Sequence, residues 1–308
     1  MSDIVISEFM DQSAIDTIFA GRDVLYDPKL VDQTDRLHAA LANCRALLVR
    51  NRTQVRGALL DAAPRLKVVG RLGVGLDNID VDACSSRNIA VRPASGANDL
   101  SVAEYVITAA LMLLRRAWLA SERLAAGEWP RMDLIGKELA GAQLGLIGFG
   151  AIARLTARKA AALGMTVAAF DPLLPERDGA FVGVSRLSFG EILSSSQVVS
   201  LHTPLTPQTR RMFDAAALGR MQSGAVLINA ARGGIVDEAA LAAALCSGHL
   251  GGAALDVFET EPLTAGAAAT FRGVPNLILT PHIAGVTEDS NVRVSAVTAC
   301  AVVEVLGA

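Results

Sequence analysis

Three residues at the ends of apolar runs have the types that proton and carboxylate chemistry requires. Arg232 stands in "VLINAARGGIVDE", beside a glycine pair. Glu261 stands in "LDVFETEP", in a turn before Pro262. His282 stands in "LILTPHIAG", just past another apolar run. A guanidinium offers a forked, charge-assisted grip on a carboxylate and can polarise a neighbouring keto oxygen. An imidazole can give that oxygen a proton as hydride reaches the carbon, or take it back in oxidation. A carboxylate bonded to the imidazole favours the protonated ring and fixes its orientation. Together the three fit hydride transfer to a 2-keto acid. A lone histidine is more often a core or surface residue. The chain, however, has only 4 histidines, and this one sits in a Pro-His-x-x-Gly turn.

A hydride carrier has its own signature. "LGLIGFGAIARL" places Gly148, Gly150 and Ala153 in the G-x-G-x-x-G/A spacing, after a strand-like run and before a helical one. The first glycine permits the tight turn, the second lets a pyrophosphate approach the backbone, and the small third residue lets helix and strand pack closely. The free amides at the helix start, with the helix dipole, suit phosphate. Asp171 follows Gly150 by 21 positions, in "AAFDP", where a carboxylate takes the adenine-ribose hydroxyls. It would repel a 2′-phosphate, so NAD is favoured over NADP. Arg177 lies close enough in sequence to bear on that choice.

These residues need strands to aim them. Apolar runs "DIVISEF", "DVLYD", "ALLVRN", "LKVVGRLG" and "IAVRP" alternate with helix-patterned segments at 13–20, 34–42 and 55–62. From Asp99 one long helix, "DLSVAEYVITAALMLLRR", follows, with Asp99 or Ser101 as N-cap. A second series then begins: "AQLGLIGFG", "MTVAAFD", "QVVSLH", "GAVLINA", "GGAALDVF" and "NLILTPH". A last helix covers 288–306. The alternation predicts βα units and parallel sheets covered on both faces. The expected fold is α/β with two parallel-sheet domains, residues 1–95 plus 286–308 and residues 96–285. In such sheets ligands bind beyond the carboxyl ends of the strands, which brings Arg232, Glu261 and His282 to one place.

The totals narrow the partners. The 308 residues are 52% hydrophobic and only 4% aromatic, so a large core must be aliphatic. A net charge of -3 makes no electrostatic case for nucleic acid. No basic start leads into an apolar h-region, and the longest apolar stretch is broken by Arg115 and Arg116, so no membrane partner is expected. Cys44, Cys84, Cys246 and Cys300 lack metal-like spacing and are expected to be free, buried thiols in a reducing cytoplasm. No metal site is expected.

With these motifs in view, the chain resembles the D-isomer-specific 2-hydroxyacid dehydrogenase family along nearly its whole length. "GRLGVGLDNID", "GKELAGAQLGLIGFGAIA", "LHTPLTPQTR", "LINAARGGIVDE", "ALDVFETEP" and "TPHIAG" resemble family signatures in family order. The resemblance implies a flavodoxin-like substrate domain and a Rossmann dinucleotide domain with a cleft between them. It implies NAD as cofactor and a small 2-hydroxy or 2-keto acid as substrate. Arg232 would orient the substrate, Glu261 would be the carboxylate partner and His282 the acid/base. Gly73, Val74 and Gly75 would hold the substrate carboxylate through their backbone. Asp256 would take the nicotinamide carboxamide. Ala151 and Ile152 amides would lie near the diphosphate, with His202, Thr203, Pro204, Thr209, Ala230, Ala284 and Gly285 also on the cofactor. Members are commonly homodimers built through the region of the long helix. Ala153 replaces the usual third glycine, which its packing role tolerates. The chain stops just after its last helix, without the added regulatory domain of some phosphoglycerate dehydrogenases, so feedback control of that type is not expected.

One stretch of the first domain sets the substrate question. "LLVRNRTQV" places Arg50, Asn51 and Arg52 at a strand end, in the loop that supplies substrate-tail contacts in relatives. A single carboxylate is already served by Arg232 and the backbone amides. A further arginine suits a second anion, or else pairs with an acid of its own domain. The candidates are 3-phosphoglycerate and 3-sulfolactate. Sulfur outranks the carboxylate in naming priority, so the D-like hand of sulfolactate is labelled S. Glycerate, lactate and a non-catalytic NAD-sensing module are the alternatives.

Overall fold

A computed structural model describes residues 2–116, 118, 120–175 and 179–307. The chain divides into two units, Met1–Asn98 with Val286–Ala308, and Asp99–Gly285.

The first unit contains strands β1 (Ile4–Ile6), β2 (Val24–Tyr26), β3 (Ala46–Val49), β4 (Val68–Arg71) and β5 (Ala90–Pro93). Between them run α1 (Gln12–Ile18), α2 (Thr34–Leu41), α3 (Ala58–Asp61) and α4 (Val81–Ser86). The second unit opens with α5 (Asp99–Arg115) and α6 (Ala120–Ala125). It continues through β6 (Gln143–Ile147), α7 (Ala151–Ala162), β7 (Thr166–Phe170), β8 (Ser185–Arg186), α8 (Phe189–Ser195), β9 (Val198–Leu201), α9 (Ala215–Arg220), β10 (Val226–Asn229), α10 (Glu238–Cys246), β11 (Gly252–Leu255) and β12 (Leu277–Leu279). The chain then returns to the first unit as α11 (Glu288–Leu306).

Both sheets are parallel. The first runs β2-β1-β3-β4-β5 and the second β12-β11-β10-β9-β6-β7-β8. The first order is flavodoxin-like and reverses between β1 and β3. The second is the Rossmann order and reverses between β6 and β9. Each reversal opens a crevice at the strand ends, where open α/β sheets hold their ligands.

Apolar residues on both strand faces explain the layers. In the first sheet Val5, Leu47, Val49 and Val69 pack on one side with Leu37, Leu41 and Leu60. Ile4, Ile6, Leu48 and Val68 pack on the other with Ile15, Phe19, Val294 and Val302. Gly70 admits α11: a Cβ there would lie 2.8 Å from methyl groups of Thr298 and Val302. In the second sheet Val199, Leu201, Leu227 and Leu255 face Ile192, Leu218 and Leu241. Leu144, Leu146, Ile228 and Ala254 face Val106, Ala110, Leu113 and Ala157.

Two expectations need correction, and one strand was not foreseen. Helix α3 is only four residues, because Val55 is taken by an isolated bridge to Ile79. Strand β8 pairs with β7 through two exposed polar residues that carry no apolar pattern. All four cysteines are free, but only Cys44 and Cys84 are buried; Cys246 and Cys300 are exposed. Both lie in helices, α10 and α11.

Candidate active site

The second unit builds its site at the ends of β6, β7, β9, β10, β11 and β12. The first glycine turn leaves β6. Gly148 has φ +88, and a Cβ there would lie 2.5 Å from the His202 carbonyl oxygen. Only glycine satisfies both the left-handed backbone and that approach across the sheet reversal. Gly150, by contrast, has an ordinary φ of -75, so conformation does not demand glycine there. A Cβ at Gly150 would meet no protein atom within 4 Å. The space is open, as a closely approaching ligand requires. Gly150 also brings no capping side chain to α7, leaving the helix start to an anion. Ala153 is fully buried against the sheet.

Asp171 is anchored at the end of β7. Its Oδ2 accepts the Phe149 amide at 2.8 Å and its Oδ1 the Leu173 amide at 2.9 Å. A carboxylate has about four acceptor directions, so both oxygens keep capacity for hydroxyls. The open Gly150 position, the uncapped helix and this carboxylate together fit an NAD molecule. Arg177 lies outside the described residues.

His202 follows β9, with Nε2 3.0 Å from the Ser200 hydroxyl. Desolvation pushes its imidazole down to about 4, so it is neutral at neutral pH and suits a wall better than a proton donor. Thr203 and Pro204 follow it. The Thr209 hydroxyl closes this loop, bonding the Pro204 carbonyl at 2.7 Å and taking the Thr206 amide at 2.7 Å.

Arg232 follows β10 and Ala230. Buried Asn229 shapes the turn: its Oδ1 takes the Ala231 amide at 3.1 Å and its Nδ2 donates to the Arg232 carbonyl at 2.9 Å. A Cβ on Gly233 would sit 1.8 Å from the Phe258 carbonyl oxygen, so the glycine lets this turn lie against the β11 loop. The guanidinium Nη1 donates to the Ala231 carbonyl at 2.6 Å.

Glu261 and His282 meet directly. Glu261 Oε2 lies 2.7 Å from His282 Nδ1, and Oε1 takes the Phe258 amide at 3.0 Å. Burial alone would raise the Glu261 carboxyl. Hydrogen bonds from His282 and the Phe258 amide, with the charges of His282 and Arg232, hold it below its ordinary value instead. The pairing at Nδ1 leaves Nε2 as the ring nitrogen available to a ligand.

His282 itself has φ +57, a left-handed conformation that costs a non-glycine residue about 1–3 kcal/mol. Asp256 holds it there. Its carbonyl takes the His282 amide at 2.8 Å. Its carboxylate, 1% exposed, takes the Thr280 hydroxyl at 2.6 Å, the Ile283 amide at 2.8 Å and the Ala284 amide at 2.7 Å. Tyr105 of α5 meets the Thr280 hydroxyl at 2.6 Å. Sequence reasoning missed Thr280 and Tyr105. Thr280 stands inside the "TPH" motif and was open to notice. Tyr105 reads only as one more residue of a long helix.

The first unit gathers the remaining candidates around β1, β3 and β4. Gly73 has φ +145, and its amide donates to the Arg71 carbonyl at 2.8 Å. Val74 beside it is exposed. Arg52 forms an exposed ion pair with Asp32. Arg50 behaves differently: its Nη2 donates to the neutral Asn291 Oδ1 at 2.6 Å, and its Cζ lies 5.3 Å from the Phe9 ring centroid. Its Nε is buried without a hydrogen-bond partner, and burial lowers its pKa.

Comparison with known proteins gives the family. Residues 107–284 match the family model described as D-isomer specific 2-hydroxyacid dehydrogenase, NAD binding domain. The chain is 54% identical to the (S)-sulfolactate dehydrogenase of Chromohalobacter salexigens over 308 residues, covering 100% of this chain and 99% of that one. It is 37% identical to the D-3-phosphoglycerate dehydrogenase of Bacillus subtilis, across 95% of this chain but only 55% of that relative. Among solved structures, the D-lactate dehydrogenase of Aquifex aeolicus, complexed with NAD and lactic acid, superposes with a TM-score of 0.84. That match has 27% identity and covers 97% of this chain and 93% of that one. The chain belongs to the D-isomer-specific 2-hydroxyacid dehydrogenase family. It is an NAD-dependent oxidoreductase acting on a CH–OH group of a small 2-hydroxy acid. No helix among the described residues is long and apolar enough to cross a membrane.

Proposed function

We propose that the preferred substrate is a D-configured 2-hydroxy acid with a second anion on its third carbon. (S)-Sulfolactate is the first candidate and 3-phosphoglycerate the second. The observation that carries this is the difference between the two arginines. Arg52 is paired directly with Asp32, whereas Arg50 donates to a neutral amide and the Glu8 carboxylate acts on its guanidinium only through space, which leaves Arg50 the better placed of the two for a ligand anion. The full-length likeness to a sulfolactate dehydrogenase supports the same reading.

In this reading Arg232 grips the substrate carboxylate and polarises the oxygen on the second carbon. The Val74 and Gly75 amides complete the grip, since the Gly73 amide is spent on Arg71. In oxidation His282 Nε2 takes the hydroxyl proton as the C2–H bond breaks; in reduction it returns that proton. Bound NAD supplies the hydride acceptor. Asp171 holds its ribose, and the Ala151 and Ile152 amides its diphosphate. Asp256 keeps one acceptor direction, on Oδ2, for the carboxamide. His202, Thr203, Pro204, Thr209, Ala230, Ala284 and Gly285 line the cofactor. The Ala284 amide is already given to Asp256, so Ala284 contributes shape rather than a donor.

Measuring kcat/KM with NAD for sulfolactate, phosphoglycerate, glycerate and lactate tests the substrate class. Better turnover of an uncharged-tail substrate than of both dianions would overturn it. A second expectation concerns Glu261. Its carboxylate stabilises the imidazolium, which reduction needs. In Glu261→Gln the His282 ring loses the carboxylate that orients it and balances its charge, so kcat for keto-acid reduction should fall by about 10-fold or more. Steady-state rates of keto-acid reduction read this directly, and an unchanged kcat would remove Glu261 from the mechanism.

We also infer a cytoplasmic homodimer. Trp129, Met132 and Ile135, in the segment after α6, are 80%, 74% and 63% exposed. Such a cluster favours burial against a second copy. Light scattering should report twice the chain mass, and a monomer would refute the assembly.

A further inference from the structure

The sheet reversal of the first unit holds a buried acid that the chemistry above does not use. Glu8 follows β1 and is only 5% exposed. Its Oε1 accepts the amides of Arg50 at 2.9 Å and Thr53 at 3.0 Å, and its Oε2 accepts the Arg52 amide at 3.2 Å. Three backbone donors of the loop after β3 thus converge on one carboxylate from β1. The loop's carbonyls are tied from the other side. Asn78 Nδ2 donates to the Arg50 carbonyl at 3.1 Å and the Thr53 carbonyl at 2.7 Å. The Ser7 and Thr53 hydroxyls meet at 3.0 Å. Burying a carboxylate is costly unless it is fully bonded, and a loop needs no charge merely to be closed. What a carboxylate adds is acceptor-only chemistry, so all three amides must face inward in one arrangement.

That arrangement fixes where the Arg50 side chain starts. The residue after Glu8 is Phe9, whose ring lies under the guanidinium, and Asn291 at the start of α11 takes its Nη2. Backbone, ring face and one donor of Arg50 are therefore all set by the fold. Its buried, unpartnered Nε shows that these contacts do not exhaust it.

We propose that Glu8 is a positioning residue for substrate selectivity: it locks the 50–53 loop so that Arg50 presents its guanidinium in one place to the anionic tail of the substrate. This rests on the reading of Arg50 as the tail-binding residue. An ion held in a prearranged site loses less on binding than one met by a mobile arginine. The selectivity of the enzyme therefore depends on a residue that touches no substrate.

Glu8→Gln tests this, because the amide turns a donor toward the loop amides while keeping the shape. Sulfolactate KM should rise about 10- to 100-fold with kcat retained, while kcat/KM for lactate stays within about two-fold. Glu8→Asp should recover part of the loss. Asn78→Ala, which loosens the same loop from its carbonyl side, should shift the ratio in the same direction and serves if Glu8→Gln does not fold. Parallel loss toward both substrates, or an unchanged ratio, would overturn the proposal. Arg50→Ala is measured alongside. If Arg50→Ala leaves the ratio unchanged, the tail reading itself fails. If it collapses the ratio and the Glu8 and Asn78 variants do not, only the positioning role fails.

Discussion

Replacing His282 lowers turnover in both directions by about 10²- to 10⁴-fold, the range that a positioned acid/base contributes, while NAD still binds. The expectation follows from how the ring is held. Glu261 occupies Nδ1 at 2.7 Å, so Nε2 is the atom the proposed mechanism uses, and His202, whose pKa desolvation lowers to about 4, is a poor substitute as a base. The choice of replacement matters. His282 has φ +57, which alanine resists and asparagine tolerates. His282→Asn should therefore keep the turn on Asp256 and still show that loss of turnover, whereas His282→Ala adds local strain to it. Steady-state kcat with an NAD titration separates the two effects. Full turnover in His282→Asn would remove this residue from the chemistry.

Replacing Arg232 by alanine costs about 2–5 kcal/mol of transition-state binding, a fall of about 30- to 5,000-fold in kcat/KM. The loss has two parts, the carboxylate grip and the polarisation of the reacting oxygen, so both KM and kcat should suffer. Arg232→Lys should recover little, because a point charge lacks the fork. The turn itself should survive, since Asn229 holds its backbone and Gly233 its approach to Phe258. A variant with unchanged kcat and only a weaker KM would mean that Arg232 binds substrate and transition state equally.

The parallel sheets were legible because their strands are short, uniformly apolar runs between helical segments. The glycine loop, Asp171 and the Arg232, Glu261 and His282 turns were legible because each lies in a local motif. What escaped depends on distant partners. Arg50 and Arg52 look alike in sequence, yet one reaches Asn291, 241 positions away, and the other Asp32, 20 positions back. Local pattern has no access to either distance. Glu8 reads as a charge closing a strand until the fold brings three amides onto it. Strand β8 has too few residues and too little apolar character to announce itself. Cys246 and Cys300 were expected inside because cysteine is usually buried, but their helix positions face solvent.

The most direct test compares (S)-sulfolactate with D-lactate as substrates for the wild-type protein and for Arg50→Ala, with NAD throughout. A charge-assisted contact of about 1.5–3 kcal/mol predicts that the wild type favours sulfolactate by at least about 10- to 150-fold in kcat/KM. Arg50→Ala should collapse that ratio toward one while lactate turnover persists. A wild type that prefers lactate, or a ratio that survives the loss of Arg50, would contradict the account.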